Sequence, residues 1–340
     1  MWGLAVRGYR RFGVEFLDCR GPSGPRNDGD IECLTPSPQF EGAFRLRRPG
    51  MQNLAQLIVS GIAVGMVYGV IAFGYQLTFA TSRTLNFGQG EALMLGSLVG
   101  LTVTYFIGYW AMIPVVLVFG LVQGAFVERL GVRRAIETKS ESGWIMATIA
   151  LGIIFKNLAE NIWGRDDMKF PSPLPEEAID VLGVRVLPME IAIVVGALLL
   201  MGAIELFNRR SIFGKAVVAT ANDRDAAGLM GINTAQVITF SYALSSMTAA
   251  FAGVLIAPVT LTGARLGAVL GFKAFAVAII GGLNSGYGVV VGGVLLGVIE
   301  TTTGFYFSTG YKDVPGLVLL LLVLSFKPSG LFGRATIKKV

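Results

Sequence analysis

Hydrophobic and polar positions along this chain do not alternate, and they do not fall on one helical stripe. They come in blocks. Apolar runs occupy about Leu54–Phe79, Ala92–Ile107, Ala111–Val127, Trp144–Trp163, Met189–Phe207, Val237–Ala257, Ala268–Leu283, Val289–Phe307 and Pro315–Phe326. Most approach the ~20 residues that an α-helix needs to cross a bilayer. A transmembrane barrel would instead give short alternating segments. The pattern predicts an all-α, polytopic helical membrane protein with eight or nine membrane-embedded segments. Some runs are short or glycine-interrupted, which predicts broken or re-entrant helices.

The polar blocks set the orientation. Glu128–Ser142 carries Arg129, Arg133, Arg134 and Lys139; Asn208–Ala235 carries Arg209, Arg210, Lys215 and Arg224; the tail carries Lys327, Arg334, Lys338 and Lys339. Loops of this kind face the cytoplasm. Gly164–Pro188, with Asp166, Asp167, Glu176, Glu177 and Asp180, is expected outside. Nine crossings make these assignments alternate consistently, with Met51 outside and the C-terminus cytoplasmic. A helix-friendly run within Asn208–Ala235, between two spans, predicts a cytoplasmic helix that touches a soluble partner.

Residues 1–50 read differently. They hold eight Arg and both cysteines, Cys19 and Cys33, with no long apolar run. The expectation is a leader produced by a start assigned too far upstream, the chain proper beginning at Met51; a disordered arm is the alternative. Residues 51–340 form the membrane domain.

Composition narrows the chemistry. The chain is 53% hydrophobic and 15% charged, against roughly 25% charged in soluble domains. The net charge of +6 reports loop orientation rather than nucleic-acid binding. Histidine is absent, which removes His-based metal sites, proton relays and nucleophile–His pairs. No zinc-protease, hydrolase-elbow or metal-spaced Cys/His motif occurs. Gly214-Lys215 resembles the end of a phosphate-binding loop, but Ala216 stands where Ser or Thr is needed and no glycine lies at the upstream spacing. The expectation is a non-enzyme that binds neither metal nor ATP itself. The 45 glycines predict close helix packing, above all through Gly281, Gly282, Gly286, Gly288, Gly292, Gly293 and Gly297.

Within the cytoplasmic run, Asp225-Ala226-Ala227-x-x-x-Gly231 has a physical reading. Asp225 favours the positive end of a short helix. Ala226 and Ala227 leave room for an approaching surface, and Gly231 permits a left-handed stop. Asn86, Gln89 and Glu91 lie at a glycine-rich break where free backbone groups could meet a zwitterion; a wet turn is the competing reading. Lys273 and Glu300 could line a pathway or sit at an interface. Lys156 and Glu160, one turn apart, are expected to neutralise each other, and Glu205 to snorkel or to pair with Arg209. Trp110, Trp144 and Trp163 are expected as interface anchors.

These motifs resemble the branched-chain amino acid permease family of ABC importers (the LivH/LivM type, on the LivH side). The matching residues are Asn86-Phe87-Gly88-Gln89-Gly90-Glu91, Gly214-Lys215-Ala216 through Gly231-Ile232-Asn233, Phe272-Lys273-Ala274-Phe275 with Ile280-Gly281-Gly282-Leu283, Gly292-Gly293 with Gly297-Val298-Ile299-Glu300, and Lys327-Pro328-Ser329-Gly330-Leu331-Phe332-Gly333. One departure is Gly88-Gln89, where the family often has Ala-His. The resemblance implies a bacterial inner-membrane transport subunit. Its partners would be a second homologous permease, two cytoplasmic ATPase subunits that bind the ATP, and an extracytoplasmic solute-binding protein. Gly214, Lys215, Asp225, Ala226, Ala227 and Gly231 would form the coupling loop. Asn86, Gln89, Glu91 and Lys273 would lie along the pathway. Branched-chain or related amino acids, urea and short amides all remain open as solutes. An ion-coupled secondary transporter and a membrane scaffold are the readings outside this family.

Overall fold

The computed structural model describes residues 51–138, 142–175, 177–181, 184–307, 309–327 and 329–333. The leader with Cys19 and Cys33 lies outside the described residues, as do Lys139, Glu176, Arg334, Lys338 and Lys339. In chain order the elements are α1 Met51–Ser82, α2 Gln89–Ile107, α3 Tyr109–Val127, a π turn at Glu128–Val132, α4 Arg133–Glu137 and α5 Gly143–Trp163. Short strands follow: β1 Met168–Lys169, β2 Ile179–Val181 and β3 Val184–Val186. Then come α6 Pro188–Arg210, α7 Ile212–Asn222, α8 Arg224–Leu229, α9 Thr234–Ile256, β4 Leu261–Thr262, α10 Leu266–Gly281, α11 Gly286–Tyr306 and α12 Val314–Phe326.

Eight of the described helices are long and apolar enough to cross a membrane, and α10, with 16 residues, is a shorter apolar helix. This matches the expected helical, polytopic architecture. Burial ranks the spans. The most apolar window of α9 is 83% buried and that of α1 is 67%, against 6% for the last span. α1 and α9 are therefore the inner posts, while α5, α6 and α12 present apolar flanks outward, to lipid or to another subunit.

Two seams hold the posts. α1 and α11 meet through glycines: a Cβ at Gly65 would stand 2.5 Å from the Gly293 carbonyl oxygen, and one at Gly297 2.3 Å from the Gly61 carbonyl oxygen. The four-residue spacing of Gly61 and Gly65, and of Gly293 and Gly297, puts a smooth strip on each helix, so backbones touch. α3 and α9 meet the same way at Gly120 and Gly124, where a Cβ would come within 2.7 Å of Met247 Cα and 2.2 Å of the Tyr242 carbonyl oxygen. The glycine-dense α10–α11 pair thus packs inside the subunit: Gly281 lies against Gly288, and Gly293 and Gly297 against α1.

The bundle has two distinct ends. At the basic end lie Arg83, the π turn with α4, the α7–α8 pair, the turn at 282–285, Lys327 and residues 329–333. Arg83 bonds Asn284 there at 3.4 Å, and Gly330 abuts Gly282. At the other end β1 pairs antiparallel with β4, Met168 opposite Thr262, and β2 pairs with β3, Asp180 opposite Arg185. Phe170, fully buried, joins Leu101, Val254 and Ala257 beneath them.

Two sequence expectations need correcting. Glu128–Ser142 is not an irregular loop, because α3 continues through the π turn and α4 to Glu137. The reason is a buried carboxylate, Glu128, with two partly buried partners. Arg133 donates twice to Glu128 at 3.2 Å, and Thr239 of α9 donates to the same carboxylate at 2.8 Å. Helical continuation satisfies that carboxylate, and the π turn aims it. Lys156 and Glu160 do not pair either: Glu160 turns to Arg165, at 3.3 Å, beyond the end of α5. Glu205 does pair with Arg209, at 2.7 Å. Trp163 stands at a helix end, as expected, but its indole N–H bonds Thr102 at 2.8 Å; Trp144 stacks on Phe87.

Candidate functional site

The run Asn208–Ala235 is built around two capped helices. The Ser211 hydroxyl accepts from Gly214 N–H at 3.0 Å and starts α7. Asp223 starts α8, accepting from Asp225 and Ala226 N–H at 3.0 and 2.9 Å. The cap is therefore Asp223, while Asp225 occupies the first turn beside the positive helix end. Gly231 sits at φ +83°, the left-handed stop expected of it. Gly214 allows α7 to fold back against α6, since a Cβ there would lie 2.4 Å from Asn208 Cα. Lys215 is exposed.

The two alanines face opposite ways. Ala226 is exposed, but Ala227 is only 5% exposed and is turned into the fold, so it offers no surface to a partner. The outward apolar residues are ones the sequence reading did not single out: Leu229 at 90% exposure, Met230 at 83% and Ile212 at 88%. Together with Arg224, Asp225 and Gly228, Leu229 borders an open hollow of about 650 Å³ against Ile136 and Glu137. Large aliphatic side chains are thus left uncovered here beside charged ones.

The break between α1 and α2 is a polar knot inside the bundle. Asn86 and Gln89 are fully buried. The Asn86 side-chain oxygen accepts from Gly88 N–H at 3.1 Å, and its amide donates to Gln89 at 3.5 Å. Gln89 donates to the Ser245 carbonyl at 2.8 Å and accepts from the Ser245 hydroxyl at 3.0 Å. That hydroxyl also lies 2.8 Å from the Gly74 carbonyl. Gly74 has to be glycine, because a Cβ would lie 2.2 Å from the Gln89 amide nitrogen. These side chains satisfy one another across α1, α2 and α9, as buried polar groups must. They tie the break in place, and the turn is not a wet one.

Glu91, one turn into α2, behaves differently. It lines a cavity of about 300 Å³ between α2, α5 and α10. The walls are Tyr75, Phe87, Ile149, Ile153, Phe272 and Phe275, with Gly90, Gly152, Gly267 and Gly271 forming flat patches. α10 begins beside α2, and Gly271 abuts Gly90.

Lys273 lies elsewhere, in a charge cluster joining α10, α11 and the start of α12. Its ammonium donates to Glu300, which is 3% exposed, and contacts Asp313 at 2.7 Å; Lys312 stands 3.9 Å from Glu300. A nearly buried carboxylate needs such a partner. The structure therefore separates the four residues read as pathway-lining: Asn86 and Gln89 in the knot, Glu91 at the cavity, and Lys273 in the ion cluster. Gly74, Ser245 and Asp313 were missed, since their partners lie far away in sequence.

A bundle of apolar helices with two polar ends, a broken-helix core and an exposed helical patch defines a membrane transport protein of the permease class. Residues 57–324 match the family described as "Branched-chain amino acid transport system / permease component", and the chain belongs to that family. It is 30% identical over 308 residues to the high-affinity branched-chain amino acid transport system permease protein LivH of Escherichia coli K12, covering 84% of this chain and 97% of the relative. It is also 30% identical over 307 residues to the corresponding permease protein BraD of Pseudomonas aeruginosa, covering 86% of this chain and all of BraD. A probable LivH of Methanocaldococcus jannaschii is 28% identical over 282 residues, 78% of this chain and 88% of that one. No solved structure matches the chain.

Proposed function

We propose that this permease is one membrane half of an ATP-driven importer of branched-chain or related amino acids, working in a bacterial inner membrane. The observation that carries the reading is the α7–α8 patch. Two well-capped helices at the basic end leave Ile212, Leu229 and Met230 exposed, on a family member with no phosphate-binding motif in its sequence. An exposed apolar patch needs a cover, and a permease without ATP chemistry needs a motor; one cytoplasmic ATPase subunit answers both. The basic residues Arg129, Arg134, Arg209, Arg210, Lys215 and Arg224 at the same end support a cytoplasmic placement, with the C-terminal tail on that side. The outward apolar faces of α5, α6 and α12 leave room for a second permease, and the strand-bearing end is where an extracytoplasmic binding protein would deliver solute. The amino-acid class follows the names of the relatives above.

The test is uptake. Proteoliposomes holding this permease, its partner permease and the two ATPases are expected to accumulate leucine when ATP is enclosed on the ATPase side and the binding protein is outside. Uptake that persists without ATPases, driven by a proton or sodium gradient, would overturn the reading.

A further inference from the structure

We infer that the Glu91 cavity is a transit subsite for a single zwitterionic amino acid with an aliphatic side chain, Glu91 receiving its ammonium group. This deepens the import reading and rests on it. The cavity's size comes first. About 300 Å³ is at the small end of ligand pockets, with room for roughly ten waters or one small amino acid.

The lining comes second. Ile149, Ile153, Phe87, Phe272 and Phe275 form an apolar wall suited to a branched side chain, and Glu91 is the carboxylate among the lining residues. Gly152 places α5 directly beside Glu91: a Cβ there would lie 3.7 Å from the Glu91 carboxyl carbon and 3.6 Å from Gly88 Cα, in ordinary contact with both.

Charge is the third argument. Lys156 lies one turn beyond Gly152 and Ile153 on the same stripe of α5. Among the described residues it makes no ion pair, since Glu160 is taken by Arg165. The α10 first turn, at Gly267 and Ala268, borders the cavity with its N–H groups uncapped by any side chain. With the Glu91 carboxylate on one wall and uncapped helix N–H groups on another, the cavity matches a solute that carries both an ammonium and a carboxylate group. A bare carboxylic acid or a bare amine would use only one of these two features.

The apolar body has no cysteine, which gives a clean assay once Cys19 and Cys33 are replaced by serine. In the assembled transporter in nanodiscs, Ile153→Cys is expected to react with a small methanethiosulfonate reagent. Leucine at about four times its Kd should slow that reaction roughly fivefold by occupancy. 4-Methylpentanoate and 3-methylbutylamine at the same concentration should not, and Glu91→Gln should abolish leucine's protection. Ile149→Cys provides a second reporter if Ile153→Cys does not assemble. Both thiols reacting at rates that leucine leaves unchanged, in a transporter that takes leucine up with its binding protein and ATP, would overturn the subsite and spare the import reading. A transporter that takes up no leucine under those conditions would overturn the reading beneath it.

Discussion

Replacing Leu229 and Met230 together by glutamate is expected to leave the permease folded and inserted but unable to hold its ATPase. Both side chains stand almost fully in solvent, at 90% and 83% exposure, so neither contributes packing that the fold would lose. In a docked complex each would be buried, a gain of about 1.5–3 kcal/mol per side chain. Losing both amounts to at least about 3 kcal/mol, or more than about 100-fold in affinity. Burying two new carboxylates would add to that. Pull-down and surface-binding measurements with the purified ATPase read this directly. Arg185→Gln, at the strand-bearing end, is the control and should bind as the parent does. Ala227→Arg would be a poor probe, because Ala227 is packed inside and its loss would confuse misfolding with uncoupling.

The second large effect is structural. Gly65→Leu is expected to destroy the bundle. At this site a Cβ alone would sit 2.5 Å from the Gly293 carbonyl oxygen and 2.8 Å from Val294 Cα, both backbone atoms. Overpacking a core usually costs about 1–3 kcal/mol when side chains can yield. No side chain intervenes at this contact, so α1 and α11 have to separate along their whole seam. Expression in membranes followed by size exclusion in detergent should show aggregate or no protein. Gly202→Leu is the matched control, since open space surrounds its Cβ on the outward face of α6. A Gly65→Leu protein that elutes and melts like the parent would refute the seam.

Much of this architecture can be read from sequence because membrane spans announce themselves locally. The run Val237–Ala257 becomes α9 at Thr234–Ile256, and Met189–Phe207 becomes α6 at Pro188–Arg210, each end within three residues of the expected one. The Gly231 stop is legible for the same reason: a left-handed turn needs a particular residue at a particular place. Ser211 and Asp223 as caps could have been found by the same local rule, and Asp223 rather than Asp225 was the better choice, since a cap precedes its helix.

What stayed hidden depends on tertiary approach. Lys273 meets Glu300, 27 residues on, and Thr239 meets Glu128 across 111 positions, so neither partner is visible in a window. Lys156 and Glu160 have an attractive local spacing, yet Glu160 finds Arg165 once α5 ends. The facing of Ala226 and Ala227 depends on how α8 rolls against α9, which two neighbouring alanines cannot specify. Likewise β1 and β4 pair across a separation that two-residue strands give no pattern to betray.

The central claim is that the α7–α8 patch faces the compartment where ATP is made available and is covered there by a separate motor. A single cysteine at Leu229, in a chain lacking Cys19 and Cys33, tests it with a membrane-impermeant maleimide. Inside-out vesicles should label fully when the ATPase is stripped away and poorly when it is restored, while right-side-out cells should not label at all. Labelling from the outside of intact cells would contradict the account.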